Sequence, residues 1–226
     1  MRKPDLRLAR AEERRRVNRE TILHAAEDVI LRRGVGDVSM DDVAAEAQFS
    51  KATLYRYFRS KAELVYEIVL HFLEDLDARA KEVRALHEKA EDKLRASLAL
   101  FLRFEIEKEN IARIFLMERN FLQLMQAFVG DQGRTGPDSV RKFIHRIKAK
   151  RQILVDDTIA EIKAGIASGE FRPVDPARTA RIIGSLVQGY FVELFWTGEK
   201  PDIEAEARLL CDFVLRGIAL PRPAAN

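Results

Sequence analysis

Three helix-start signals crowd into residues 39–63 of this chain. Ser39 is followed three positions later by Asp42, Ser50 by Thr53, and Ser60 by Glu63. A serine with an acid at the third helical position is a capping pattern, and only the middle signal lacks the acid. Starts this close together leave room for two very short helices and then a longer one. A helix of two turns does not hold itself in water and has to be packed on neighbours. Val43, Ala44, Ala47, Leu54 and Phe58 supply apolar contacts for that packing. Ahead of them, Ile22, Ala26, Val29 and Ile30 recur at helical spacing. They predict a first helix over about Val17–Arg33, closed by Gly34 in the left-handed position that ends helices. Two short helices joined by a tight turn, packed on a preceding helix, make a helix-turn-helix unit.

The rest of the chain reads as helical too, so the expected fold is all-α. Glycine and proline cluster at a few places and leave long stretches uninterrupted. A long helix is expected over residues 60–83, then others near 90–108, 111–129, 140–168, 176–197 and 203–218. Residues 130–137, 173–176 and 198–202 read as loops, with Asp175 as an N-cap and Pro176 at the first helical position. The chain is long enough, at 226 residues with 47% hydrophobic, to bury a sizeable core. Cys211 is the only cysteine, which excludes an intrachain disulfide. Residues 1–20 are polar without the apolar stretch of a signal peptide, and no apolar run reaches membrane-spanning length. A cytoplasmic protein without membrane association is expected.

Charge is unevenly placed. The net charge is +3, yet residues 1–61 hold 14 Lys/Arg against 10 Asp/Glu, and residues 1–19 hold eight against three. A basic end on a near-neutral body points to a polyanion, either nucleic acid or an acidic membrane surface. Charge alone does not choose between them. A basic helical adaptor that binds membranes or protein partners is the alternative to a nucleic-acid-binding protein.

The residues of the second short helix choose. Ser50, Lys51, Thr53, Leu54, Tyr55, Tyr57, Phe58, Lys61 and Leu64 stand at the offsets of a pattern Ser-Lys-x-Thr-Leu-Tyr-x-Tyr-Phe-x-x-Lys-x-x-Leu. This resembles the DNA-binding unit of the TetR-type transcriptional regulators, over residues 19–66. The adaptor reading leaves this pattern unexplained. The resemblance implies a ligand-responsive regulator, more often a repressor, that binds a palindromic operator in double-stranded DNA as a homodimer. It places Lys51, Ala52 and Thr53 at base edges, and Ser39, Ser50, Tyr55, Tyr57 and Lys61 at phosphates. Arg56 is exposed on the same helix and joins the DNA-binding set. The residues themselves fit, since an exposed helix bearing cations and phenols suits the major groove. One departure stands out: Gln48 occupies the turn where the family usually has glycine.

Beyond residue 66 the resemblance is architectural. It implies a helical body, residues 67–220, that binds a small molecule and dimerises, between a basic arm at 1–18 and a short tail at 221–226. The segment Ile182–Trp196 is apolar nearly all round, so burial on more than one side is expected. Gly184, Ser185 and Gly189 would let a partner helix approach, and Leu210 and Val214 lie on a second apolar stripe. These five are the candidate dimer interface. Phe104, Phe115, Phe121, Met125 and Phe143, with Glu193 as the acid in an apolar run, are the candidate contacts for an apolar or amphipathic effector. No enzyme signature competes. His24, His71, His87 and His145 lack metal-ligand spacing, and Gly130, Gly133 and Gly136 have neither the strand nor the Lys-Ser/Thr of a phosphate loop. No metal or cofactor is expected.

Overall fold

The computed structural model describes residues 6–34, 36–109, 111–112, 137–197 and 202–218. Its elements are α1 (Leu6–Arg33), α2 (Met40–Glu46), α3 (Lys51–Tyr57), α4 (Lys61–Ala85), α5 (Ala90–Glu107), α6 (Pro137–Ala167), α7 (Pro176–Thr197) and α8 (Ile203–Ile218). The expected all-helical architecture is what forms. Of the helix expected over residues 111–129 only 111–112 lie among the described residues, and they are helical; of the loop expected at 130–137 only Pro137 does, as the start of α6.

Two compact units divide the chain. The first takes residues 1–71 and 109–145, the second residues 72–108 and 146–226. This division and the boundary expected at residue 66 both fall within α4. The first unit also draws on a segment distant in sequence.

In the first unit, Ile22, Ala26, Val29 and Ile30 of α1 are buried, as their spacing requires. Val43 and Ala44 of α2, Leu54 of α3, Phe58, and Leu64 and Ile68 of α4 complete that core. Arg33 binds Asp42 at 2.7 Å and Arg32 binds Glu46 at 2.6 Å, tying the end of α1 to α2. Buried Glu27 meets His71 Nδ1 at 2.7 Å. Tyr66 and Phe143 stack with ring centroids 3.9 Å apart. The start of α1 differs from expectation. The helix begins at Leu6 rather than near Val17. Residues 6–16 contain neither glycine nor proline, and Arg16 links Glu13 and Glu20 at helical spacing, which supports the extra turns.

In the second unit, α5 packs on α7 and α8. Leu94, Leu98, Ile162, Phe171, Ile183, Val187, Cys211 and Leu215 form its core. Two carboxylates cap helices here: Asp175 accepts from the backbone of Ala177 and Arg178, and Asp202 from Glu204 and Ala205. After α6 the chain turns so tightly that a Cβ on Gly165 would lie 2.2 Å from the Phe171 ring. Arg84 binds Asp157 at 2.5 Å, joining α4 to α6 within this unit. The Cys211 thiol is buried, and burial pushes its pKa up.

One acid of this unit is half-buried, and no signal in the sequence marks it. Glu105 Oε2 is shielded from solvent and has no hydrogen-bond partner among the described residues. Burial pushes its carboxyl up to about 7, against the opposing pull of Arg151. The folded chain thus holds this proton more tightly than the unfolded chain, where the ordinary value is 4.5. Stability must then fall as pH rises from that value through about 7, the region where only the folded form is protonated. Glu105→Gln should raise the melting temperature at and above neutral pH and flatten this descent. Melting curves of both proteins across that window check it, and parallel pH profiles would contradict it.

Candidate nucleic-acid interface

The geometry of α2, its turn and α3 is set by backbone bonds and caps. Ser39 accepts from the Asp42 N–H at 3.1 Å, while the Asp42 carboxylate accepts from the Ser39 N–H at 3.1 Å. That reciprocal pair fixes the start of α2. At its end, the Phe49 N–H donates to the Ala44 carbonyl at 2.9 Å and the Gln48 N–H to that of Ala45 at 3.2 Å. This is a Schellman closure, which needs a left-handed residue between them. Gln48 takes that position, with φ at 58°. The chain then enters α3 through Ser50, whose Oγ accepts from the Thr53 N–H at 3.1 Å.

α3 is pinned from beneath and bare above. Leu54 and Phe58 are fully buried, and the Arg19 guanidinium of α1 lies 5.1 Å from the Phe58 ring centroid. Arg19 also binds Glu67 of α4 at 2.7 Å. Lys51, Ala52 and Arg56 are exposed, and Thr53, Tyr55 and Tyr57 are half-buried. Lys51 Nζ lies 2.8 Å from Asp41, and this partner raises the pKa of the ammonium. The upper face of α3 therefore offers cations, hydroxyls and a small residue, with no carboxylate of its own.

The structure brings all nine sequence-selected residues into the first unit but gives them unlike roles. Ser39 and Ser50 use their hydroxyls as helix caps. The Tyr57 hydroxyl accepts from Asn18 Nδ2 at 3.0 Å, tying α3 to α1. Lys61 is half-buried and donates to the Gly36 carbonyl at 2.9 Å, and burial lowers its pKa. Lys61 thus braces the loop after α1. Lys51, Ala52 and Thr53 at the start of α3, with Tyr55 and Arg56, remain on its outer side. Sequence reasoning did not foresee Asn18, which the interval from the first helix to Tyr57 conceals.

The other candidate sites fare differently. Phe104 is fully buried, 4.8 Å by ring centroid from Phe72, with the Arg79 guanidinium 5.1 Å from its own centroid. It is a core residue of the second unit. Phe143 belongs to the first unit and is stacked on Tyr66. Phe115, Phe121 and Met125 lie outside the described residues. Glu193 is exposed, so its apolar neighbours in sequence do not enclose it. Gly184, Ser185 and Gly189 are exposed on α7, and a Cβ at either glycine would meet nothing. Leu210 and Val214 correct the expectation: they are 8% and 6% exposed and face the core. The outward apolar pair of α8 is Leu209 and Phe213, at 64% and 67%. No group of His, Cys, Asp and Glu among the described residues is arranged to hold a metal ion, and no helix among them is long and apolar enough to cross a membrane.

Gln48 offers a direct test of the turn. A side chain in the left-handed region costs about 1–2 kcal/mol, and glycine relieves it while losing about 0.5–1 kcal/mol through its freer unfolded state. Gln48→Gly should therefore raise stability by up to about 1 kcal/mol in chemical denaturation, with DNA affinity retained. A clear loss of stability would show that the Gln48 side chain contributes more than the strain it causes.

Known proteins share both the motif and the architecture. Residues 22–68 match the sequence profile of the bacterial regulatory proteins of the tetR family. The chain is 28% identical over 204 residues to YhgD, an HTH-type transcriptional regulator of Bacillus subtilis strain 168, covering 89% of this chain and 96% of that one. It is 26% identical to the TetR-family regulator PfmR from Thermus thermophilus, with a TM-score of 0.63 over 89% of this chain and 99% of that one. FadR from Bacillus subtilis, solved in complex with stearoyl-CoA, shares the fold at 16% identity, with a TM-score of 0.67 over 88% and 98%. With the capped, core-pinned α3 and an all-helical body, these likenesses mark residues 22–68 as a DNA-binding unit of the tetR type, in a chain similar over most of its length to HTH-type transcriptional regulators.

Proposed function

We propose that the chain represses transcription by binding a palindromic operator as a homodimer and releases it when a small apolar or amphipathic effector enters the helical body. The single observation that carries the DNA half is the buried anchoring of α3 through Leu54 and Phe58, which leaves Lys51, Ala52 and Thr53 outward at its start. Lys51 and Thr53 read base edges, and Tyr55 and Arg56 reach the flanking phosphates. Ser39, Ser50, Tyr57 and Lys61 hold the reading head in shape.

Dimerisation is supported by the outer face of α7 and α8. Ile182 is 60% exposed, and Arg178, Arg181, Ile182, Ser185 and Leu186 line an open concavity of about 520 Å³. Gly184 and Gly189 give a partner helix room to approach. Leu209 and Phe213, in place of Leu210 and Val214, supply the apolar contacts from α8. A twofold dimer would set two α3 helices on successive major grooves, about 34 Å apart.

The effector is supported by analogy of architecture, since the FadR structure holds an acyl-CoA in the same fold. It must bind the non-operator conformation better, and operator and effector then weaken each other by the same factor.

Selection of duplexes from a random pool by the full-length chain tests the DNA half. The expected product is a short inverted repeat. Lys51→Ala and Thr53→Ala should shift base preference by roughly 1–3 kcal/mol at the pairs they read, whereas Tyr55→Ala should weaken all duplexes alike. Recovery of no enriched sequence would contradict the reading.

Sedimentation tests the assembly. The wild-type chain of 25.9 kDa should sediment at twice that mass. Phe213→Asp should yield monomers with unchanged helicity, because the side chain is outside the core. It should also weaken operator binding, since a single half-site offers half the contacts. A Phe213→Asp protein that remains dimeric would place the interface elsewhere.

A further inference from the structure

The first unit holds a strongly charged cleft that the anchoring of α3 does not account for. Ala11, Arg14, Arg15 and Asn18 of α1 line it together with Arg56 and Tyr57 at the far end of α3, around an open volume of about 480 Å³. Three guanidinium groups line this cleft, and no carboxylate does. Arg14 and Arg15 are exposed and make no hydrogen bond or ion pair among the described residues. The Tyr57 hydroxyl accepts from Asn18 across the base of the cleft, so α1 and α3 are held together there.

The sequence of α1 sorts its charges by face. Arg7, Ala11, Arg14 and Asn18 succeed one another at steps of four, three and four, which keeps them on one side of a helix, with Arg15 beside them. Glu13, Arg16 and Glu20 follow a second row, and there Arg16 binds Glu13 at 2.6 Å and Glu20 at 2.8 Å. Those two acids are therefore engaged by Arg16, in a row apart from the cleft. From Asn18 back to Leu6, α1 adds about 18 Å of helix beyond the part that packs in the core. This rod is basic along its cleft side and stands in solvent, with residues 9–17 all exposed.

We propose that this cleft grips a backbone phosphate of DNA beside the half-site read by α3, and that the N-terminal part of α1 follows the duplex outward from it. The proposal rests on the DNA-binding reading and adds to it a site built by α1. Guanidinium forks match phosphate oxygens in two-point contacts, and the cleft supplies three of them with an amide and a phenol. The contact carries no base information. It sets the register of α3 on the duplex and makes part of the salt dependence.

The test uses the full-length chain and the duplex it selects from a random pool, titrated at several KCl concentrations. Arg14→Ala/Arg15→Ala should lower the slope of log affinity against log salt by about one to two, since each lost phosphate contact removes about 0.9. Base preference should stay as in the wild type. Arg16→Ala removes an equal charge per residue from the paired row and should leave the slope near that of the wild type. Circular dichroism of the variants should match the wild type, because none of these side chains is buried. An unchanged slope in the double variant would overturn the proposal while leaving the DNA-binding reading intact. A slope lowered per residue as much by Arg16→Ala would also overturn it, because diffuse charge and not the cleft would then be responsible. If no duplex is selected at all, the DNA-binding reading fails and this proposal falls with it.

Discussion

The burial of Leu54 and Phe58 is the constraint on which the DNA-reading half of this molecule depends. α3 has seven residues, fewer than an isolated helix needs to persist in water. It exists because two side chains, one at its centre and one at its C-cap, are removed from water against α1, α2 and α4. Each such burial contributes on the order of 1.5–3 kcal/mol. The Arg19 guanidinium over Phe58, itself held by Glu67, closes the remaining edge. Lys51, Ala52 and Arg56 are exposed and take no part in that burial, while Tyr57 adds a tie of its own to Asn18 of α1. Structural and reading functions are thereby separated within two helical turns.

That separation explains what was legible in the sequence. The caps at Ser39, Ser50 and Ser60, the glycine after α1 and the buried rows of α1 are local signals, and a single chain displays them in full. The turn at Gln48 is legible only through the resemblance, which usually has glycine there, and its positive φ is what that glycine implies. The roles of Tyr57 and Lys61 were not legible. Their partners, Asn18 and the Gly36 carbonyl, stand far away in sequence, and only the packed helices bring them near. A phenol or an ammonium looks the same in a sequence whether it waits for a phosphate or braces a loop.

Helical faces were misread where the apolar pattern was broad. On α8 the stripe Leu210–Val214 and the pair Leu209–Phe213 are one residue apart, and both rows are apolar. Periodicity finds two faces there but does not say which one the rest of the unit covers. Contact with α5 settles it, turning Leu210 and Val214 inward. Glu193, an acid surrounded by apolar letters in sequence, is exposed in the fold. Glu105, whose Oε2 is shielded from solvent, has no distinguishing mark in a helix rich in charges. The start of α1 shows the reverse case: a stretch read as a basic arm is helical, because its charges pair at helical spacing.

In the proposed complex α3, held by its buried anchors, inserts its first turn into the major groove. A crystal structure of the full-length chain bound to its selected duplex tests this most directly. Lys51 and Thr53 should lie within hydrogen-bonding distance of base edges, with Leu54 and Phe58 still buried beneath them. A complex in which α3 stands clear of the bases, with the duplex held by another surface of the chain, would contradict it.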